Sequence, residues 1–78
     1  MDKQLLGELL TLLDDDTRGD IIHAKVDEME RGDPSARLWL IANCIWISQR
    51  EQRTDPQKAG IASGFALRLT GYEPRDLA

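Results

Sequence analysis

Apolar residues along this chain recur at three- and four-residue spacing, as they do in α-helices that bury one face. Near the start, with successive residues placed about 100° apart, one set of leucines falls within an arc of about 160°. Lys3, Gln4 and Glu8 lie on the opposite side. No stretch shows the strict alternation of a half-buried β-strand, so the pattern predicts an all-α protein. The leucines of the arc are Leu5, Leu6, Leu9, Leu10, Leu12 and Leu13.

Capping residues divide the chain into four helices. Asp33 with Pro34, and Asp55 with Pro56, each place a helix-capping side chain before a proline at the first helical position. Residues 17–20 resemble a capping box with Asp in the Glu position, and Gly32 and Gly71 are helix stops. Short connections make neighbouring helices pack together, which predicts a single domain over residues 1–78: a compact four-helix bundle with the third helix central. The predicted helices cover about residues 2–14, 17–31, 34–52 and 56–70.

The third helix contains the most apolar segment of the chain, LWLIANCIWI, at residues 38–47. Its apolar residues form two arcs rather than one. A helix that is apolar nearly all round is normally buried nearly all round, yet a chain of this length supplies few neighbours to cover it. The wider arc holds Leu38, Trp39, Ile41, Ala42, Ile45 and Trp46, and the narrower one holds Leu40, Cys44 and Ile47.

Two interpretations of this helix remain open, and one tryptophan in the core with the other at an interface would satisfy both. In the first, it is a core helix, with Trp39 and Trp46 packed beneath the first and fourth helices. In the second, one edge stays available to another polypeptide, because Trp and Arg are the residues that most often dominate binding energy at interfaces. The candidate partner-binding residues, called here the Trp edge, are Trp39, Asn43, Trp46, Arg50 and Arg53.

The fourth helix carries Gly60, Ser63 and Gly64 on one face. Two glycines inside a helix cost about 1 kcal/mol each relative to alanine. They are explained if a second helix crosses closely at this face, either within the protein or across a dimer. The other interpretation is a locally weak helix on the surface.

Charge and composition narrow the functional classes. The net charge is −4 and the isoelectric point is near 4.8, which disfavours nucleic acid as partner. The acidic residues of 1–33 could attract a basic protein surface, but the favoured interpretation is that they only solvate two helices. Cys44 is the single cysteine, so an intrachain disulfide is excluded and a reducing compartment fits. The start of the chain does not resemble a signal peptide, and no apolar run approaches the roughly 20 residues that cross a bilayer. We expect a soluble cytoplasmic protein without a membrane partner.

No residue pattern indicates catalysis, a cofactor or a metal ion. His23 is the only histidine, and no nucleophile with an orienting acid accompanies it in a recognisable motif. Cys44 lies among apolar residues, where a thiol behaves as a small hydrophobe. Asp14, Asp15 and Asp16 lack the spacing of a calcium loop. We therefore predict no enzyme activity, no cofactor and no metal site.

The sequence predicts a small non-catalytic regulator or inhibitor that docks another protein through its apolar, Trp-containing helix. Its partner is another protein, its own copy in a homodimer, or both. The alternative is a homodimeric DNA-binding regulator resembling a helix-turn-helix protein, with Gln57 and Lys58 opening the helix that enters the major groove. The acidic net charge disfavours this alternative.

Overall fold

The computed structural model describes residues 3–13 and 19–71, except for the side chain of Leu6 and the burial of Gly19. Within these ranges the chain forms four α-helices, and no β-strand is present. The predicted all-α, four-helix fold is confirmed, and the helix ends differ from the predicted ones by at most two residues. The helices are α1 (Lys3–Leu12), α2 (Gly19–Glu30), α3 (Pro34–Glu51) and α4 (Pro56–Thr70).

The helices pack in a chain of neighbours. The most extensive contact is between α3 and α4, α2 packs against α3, and α1 packs against α4. Each of α3 and α4 thus has two principal neighbours, so the central position predicted for α3 alone is shared with α4.

The junction between α2 and α3 is fixed by three consecutive residues. Gly32 adopts a left-handed conformation with φ of 96°, and its N–H donates to the Met29 carbonyl at 2.9 Å. The N–H of Asp33 donates to the Glu28 carbonyl at 3.0 Å, which completes a Schellman motif. Asp33 Oδ1 then accepts from the backbone N–H of Ser35 at 2.9 Å and caps α3. One short segment therefore ends α2 and begins α3, as the sequence predicts.

The ends of α4 follow the same logic. Asp55 Oδ1 accepts from the backbone N–H of Lys58 at 3.1 Å, and Pro56 occupies the first turn. Gly71 closes the helix, because its N–H donates to the Leu67 carbonyl at 3.3 Å. The capping box predicted at residues 17–20 includes Thr17 and Arg18, which lie outside the described residues.

All four helices contribute to one apolar core. The buried face of α4 meets leucines of α1, a stripe of α2 and the narrower arc of α3. At the margin of this core, a hydrogen bond of 2.7 Å between Ser48 Oγ and Ser63 Oγ joins α3 to α4. None of the four helices combines the length and apolar character that a membrane crossing needs. The core side chains are Leu9, Leu12, Leu13, Ile22, Val26, Met29, Ala36, Leu40, Cys44, Ile47, Ala62, Phe65, Ala66 and Leu69.

Two leucines of α3 provide a matched test of this packing. Leu40 is completely buried, whereas Leu38 is 63% exposed. We expect Leu40→Ala to lower the free energy of unfolding by about 2–4 kcal/mol, because it removes core contacts and leaves a cavity. Leu38→Ala should change it by no more than about 0.5 kcal/mol. Urea unfolding followed by circular dichroism measures both variants, and equal losses would contradict the orientation of α3. If Leu40→Ala does not fold, Ile47→Val, with an expected loss of about 0.5–1.5 kcal/mol, replaces it.

The cap of α3 should make stability depend on pH. The Ser35 hydroxyl, and then the Ser35 backbone N–H, donate to Asp33 and lower the pKa of its carboxyl. A carboxyl whose pKa is lower in the folded state stabilises the fold above its unfolded pKa, near 4, and this contribution disappears as the pH falls through the folded pKa. Asp33→Asn retains a capping acceptor but does not titrate. Thermal midpoints measured between about pH 6 and about pH 3 should therefore fall less steeply in this variant. Ser35→Ala, which removes one donor to Asp33, should bring the slope of the thermal midpoint against pH closer to that of Asp33→Asn. Identical slopes in the wild type and both variants would refute the role of Asp33 in the pH dependence.

Candidate functional site

Most of the wider apolar arc of α3 points away from the core, although Trp39 and Ile41 pack against the core cluster. Leu38 is 63%, Ile45 45% and Trp46 53% exposed, Ala42 is also exposed, and Ile41 is half-buried. These five residues recur at three- and four-residue intervals and lie on one side of the helix. We call this surface the docking face. The interpretation that places both tryptophans in the core is wrong for Trp46.

Trp39 marks the boundary between the docking face and the core. Its half-buried side chain packs against the core cluster, and Lys25 Nζ of α2 lies 6.0 Å from the centre of its ring. Lys25 also pairs with Glu28 at 3.4 Å. Asn43, also half-buried, donates from Nδ2 to the Trp39 carbonyl at 2.8 Å, one turn back along α3. Trp39 therefore helps to hold α3 on the core as well as bordering the exposed surface.

Trp46 is held in position by its neighbours at the end of α3. The guanidinium carbon of Arg50 lies 4.5 Å from the centre of the indole ring, a cation–π contact worth about 0.5–1 kcal/mol at an exposed position. Glu51 fixes this arginine, because its Oε1 accepts from Arg50 Nε at 3.1 Å and its Oε2 from the Thr54 hydroxyl at 3.0 Å. Arg53 is exposed in the turn that follows. These contacts favour one position of the exposed ring.

The structure brings the predicted edge residues into two groups. Trp39 and Asn43 belong to one turn and are half-buried, whereas Trp46 and Arg50 stack on each other in the solvent. Sequence reasoning did not place Leu38 and Ile45 in the site, although they are as exposed as Trp46. Their exposure could have been expected from α2 and α4, because the apolar stripes of these two helices are too narrow to cover both arcs of α3.

A cleft of about 1050 Å³ is lined by residues of both α1 and α4, among them Gly7 and Gly64. In the part of the chain described, the positions that a Cβ would occupy at Gly60 and Gly64 meet no atom within 4 Å. No other helix of these ranges crosses closely at either glycine, so a close crossing is absent from the described part of the chain. A crossing between two copies remains a prediction.

The thiol of Cys44 is poorly suited to react. Its side chain is completely buried in α3, and burial raises the pKa of the thiol to about 11, so it stays protonated near neutral pH. Across residues 3–13 and 19–71, no three His, Cys, Asp or Glu side chains are grouped as a metal site. Asp14, Asp15 and Asp16 lie outside the described residues. His23 is exposed on α2.

The residues of the DNA-binding alternative are spread over different environments. Gln57 is exposed at the start of α4, but Lys58 is half-buried and lines the cleft with α1. Arg50, the nearest base on α3, contacts Trp46 and Glu51. Two of the basic side chains near this turn, Arg50 and Lys58, therefore already have neighbours within the chain.

The two tryptophans should respond differently to substitution. Trp39→Ala removes a side chain packed against the core, so we expect the free energy of unfolding to fall by about 1–3 kcal/mol. Trp46→Ala removes an exposed ring and its contact with Arg50, and should change the free energy of unfolding by no more than about 1 kcal/mol. Urea unfolding followed by circular dichroism gives both values. A larger loss for Trp46→Ala than for Trp39→Ala would show that the assignment of the two rings is reversed.

Comparison with known proteins identifies no relative of this chain. No protein-family model matches it, and neither a curated protein nor a solved structure does. Its function is therefore proposed from the exposure, contacts and charges of its own residues.

Proposed function

We propose that this protein is a non-catalytic, protein-binding regulator that holds an amphipathic helix of its partner along the docking face of α3. The observation that carries the proposal is the exposure of Leu38, Ile45 and Trp46 on one face of a single helix. A contiguous apolar surface of this kind is typical of protein-interaction sites. A helix laid on an apolar surface is also a recurrent mode of peptide recognition.

The arrangement around Trp46 favours binding energetically. Binding loses part of its free energy to the ordering of flexible side chains. Arg50 covers one side of the Trp46 ring, and Glu51 fixes Arg50, so little freedom remains for a partner to remove. Tryptophan and arginine are also over-represented among residues that dominate binding energy. Trp46 is therefore the proposed anchor, with Leu38 and Ile45 extending the contact along α3.

Charge beside the docking face suggests what the partner carries. Lys25 lies next to Trp39, Arg50 lies on Trp46, and Arg53 follows in the turn. Three basic residues thus border the tryptophan side of the face, two of them paired with Glu28 and Glu51, although the whole chain has a net charge of −4. Complementary charge at a rim sets orientation and association rate more than affinity. We therefore propose a partner helix with acidic residues beside its apolar stripe.

Regulation through this surface needs binding alone and no catalysed reaction. A helix that lies along α3 has its own apolar stripe covered and is no longer available to other proteins. The regulatory effect is therefore competition for the partner's helix, with a strength set by affinity and concentration.

A designed peptide tests the proposal. The peptide has the length of α3, leucines at i, i+3, i+4 and i+7 spacing, and glutamates flanking that stripe. We expect it to bind with a blue shift of tryptophan emission, because Trp46 leaves water. Leu38→Glu should weaken binding at least about tenfold, since it places a charge on the face without disturbing the core. Fluorescence titration and calorimetry measure both affinities.

Two controls make the result specific. Ile61→Glu alters another exposed apolar residue, one that lines the cleft between α1 and α4, and should change the affinity less than about twofold. A peptide with lysines in place of the glutamates should bind more weakly than the acidic one. Equal binding by the wild type and Leu38→Glu would refute the docking face, and equal binding of both peptides would refute the role of the basic residues.

A further inference from the structure

The surface of α3 within about 60° of Ala42 overlaps the docking face and is nearly symmetric about that residue. Ala42, exposed and small, lies at the centre, large apolar side chains follow on either side, and a polar residue closes each end. On this surface, residues equally distant from Ala42 are both apolar or both polar, whereas Ile41 and Asn43, which lie farther round the helix, are not matched. The equidistant pairs are Leu38 with Trp46, Trp39 with Ile45, and Ser35 with Gln49.

This order suits an antiparallel pair of α3 helices related by a two-fold axis at Ala42. In such a pair each residue lies level with its equidistant counterpart on the other copy, so Leu38 meets Trp46 and Ser35 meets Gln49. The small side chain of Ala42 allows the axes to approach to the lower end of the usual range, about 8 Å. An isologous interface of this kind needs the self-complementary surface that the face provides.

The polar ends of the face are compatible with the same arrangement. The Ser35 hydroxyl donates to Asp33 Oδ1 at 2.9 Å, which leaves the lone pairs of its oxygen for the amide of Gln49 of a second copy. An antiparallel pair also opposes the two helix dipoles and places the two Arg50 side chains at opposite ends. A parallel pair would align the dipoles and bring both Arg50 side chains to one end.

We infer that, when no partner is bound, the docking face is covered by the same face of a second copy, and that the partner helix competes with this copy. The competition rests on the proposed function, whereas the dimer does not. One helix pair buries an area at the low end of specific interfaces, and association also loses translational and rotational freedom. The dimer is therefore weak and concentration-dependent, with dissociation in the micromolar range, so that a partner can displace it.

Mass and cross-linking together test the dimer. Light scattering should give a dimer mass for the full chain at high concentration and a monomer mass after dilution, and Leu38→Glu should be monomeric throughout. For orientation, Leu38→Cys and Trp46→Cys are made in a Cys44→Ala background. Under mild oxidation the mixture should give covalent dimers, while each variant alone should not, because only an antiparallel pair brings positions 38 and 46 together. Ile61→Cys, in the same background, is the control and should not cross-link.

Each outcome separates the inference from the proposed function. A monomer at all concentrations overturns the inference and leaves peptide binding to be judged separately. A dimer that persists in Leu38→Glu, or that cross-links in Trp46→Cys alone rather than in the mixture, also overturns it. If the dimer forms as expected, half-saturation by the acidic peptide should rise as the concentration of the chain rises. Peptide binding that is independent of chain concentration refutes the competition, and a dimer that never binds peptide refutes the proposed function but not the dimer.

Discussion

The burial of the narrower apolar arc of α3 determines the rest of this structure. A helix that packs against two neighbours turns one side toward them and leaves the other side in solvent. Leu40 and Cys44 are completely buried between α2, α3 and α4, so the wider arc on the opposite side must lie outside. The exposed surface is therefore a direct consequence of how α3 meets its neighbours.

The sizes of the buried side chains explain why the narrower arc is inside. The face that α4 turns inward contains Ala59, Ala62 and Ala66, and α3 contributes Ala36 and Cys44. Small residues on both sides allow two helices to approach closely, in keeping with the extensive contact between α3 and α4. A tryptophan at such an interface would force the axes apart and open voids around it, and close-packed interiors do not tolerate such voids. Leu38, Ile45 and Trp46 are consequently on the side that no helix of the described ranges covers.

Local signals in the sequence predicted the helices well, whereas the choice between the two arcs was not predictable from α3 alone. Gly32, Asp33 and Asp55 act on residues within one turn of themselves, so their effect can be read without knowledge of the fold. Both arcs of α3, by contrast, have the same helical period, and only the alanines of α4 distinguish between them. The Trp edge was predicted as one surface for the same reason. The structure divides it, because the position of Trp39 relative to the core depends on α2, which the register of α3 does not specify.

If the proposed function holds, stability and binding are carried by largely separate residues of one helix. Substitutions at Leu38, Ile45 or Trp46 alter the docking face while leaving the core arc intact, so the preference for a partner can change without loss of the fold. Trp39 and Ile41 are the exceptions, since both pack against the core while Trp39 borders the exposed face and Ile41 belongs to it. A partner that displaces Trp39 would weaken the contact between α3 and α2, and the stability of the core would fall as a result. Of the residues along this edge, Trp39 is thus the one through which binding and stability are coupled.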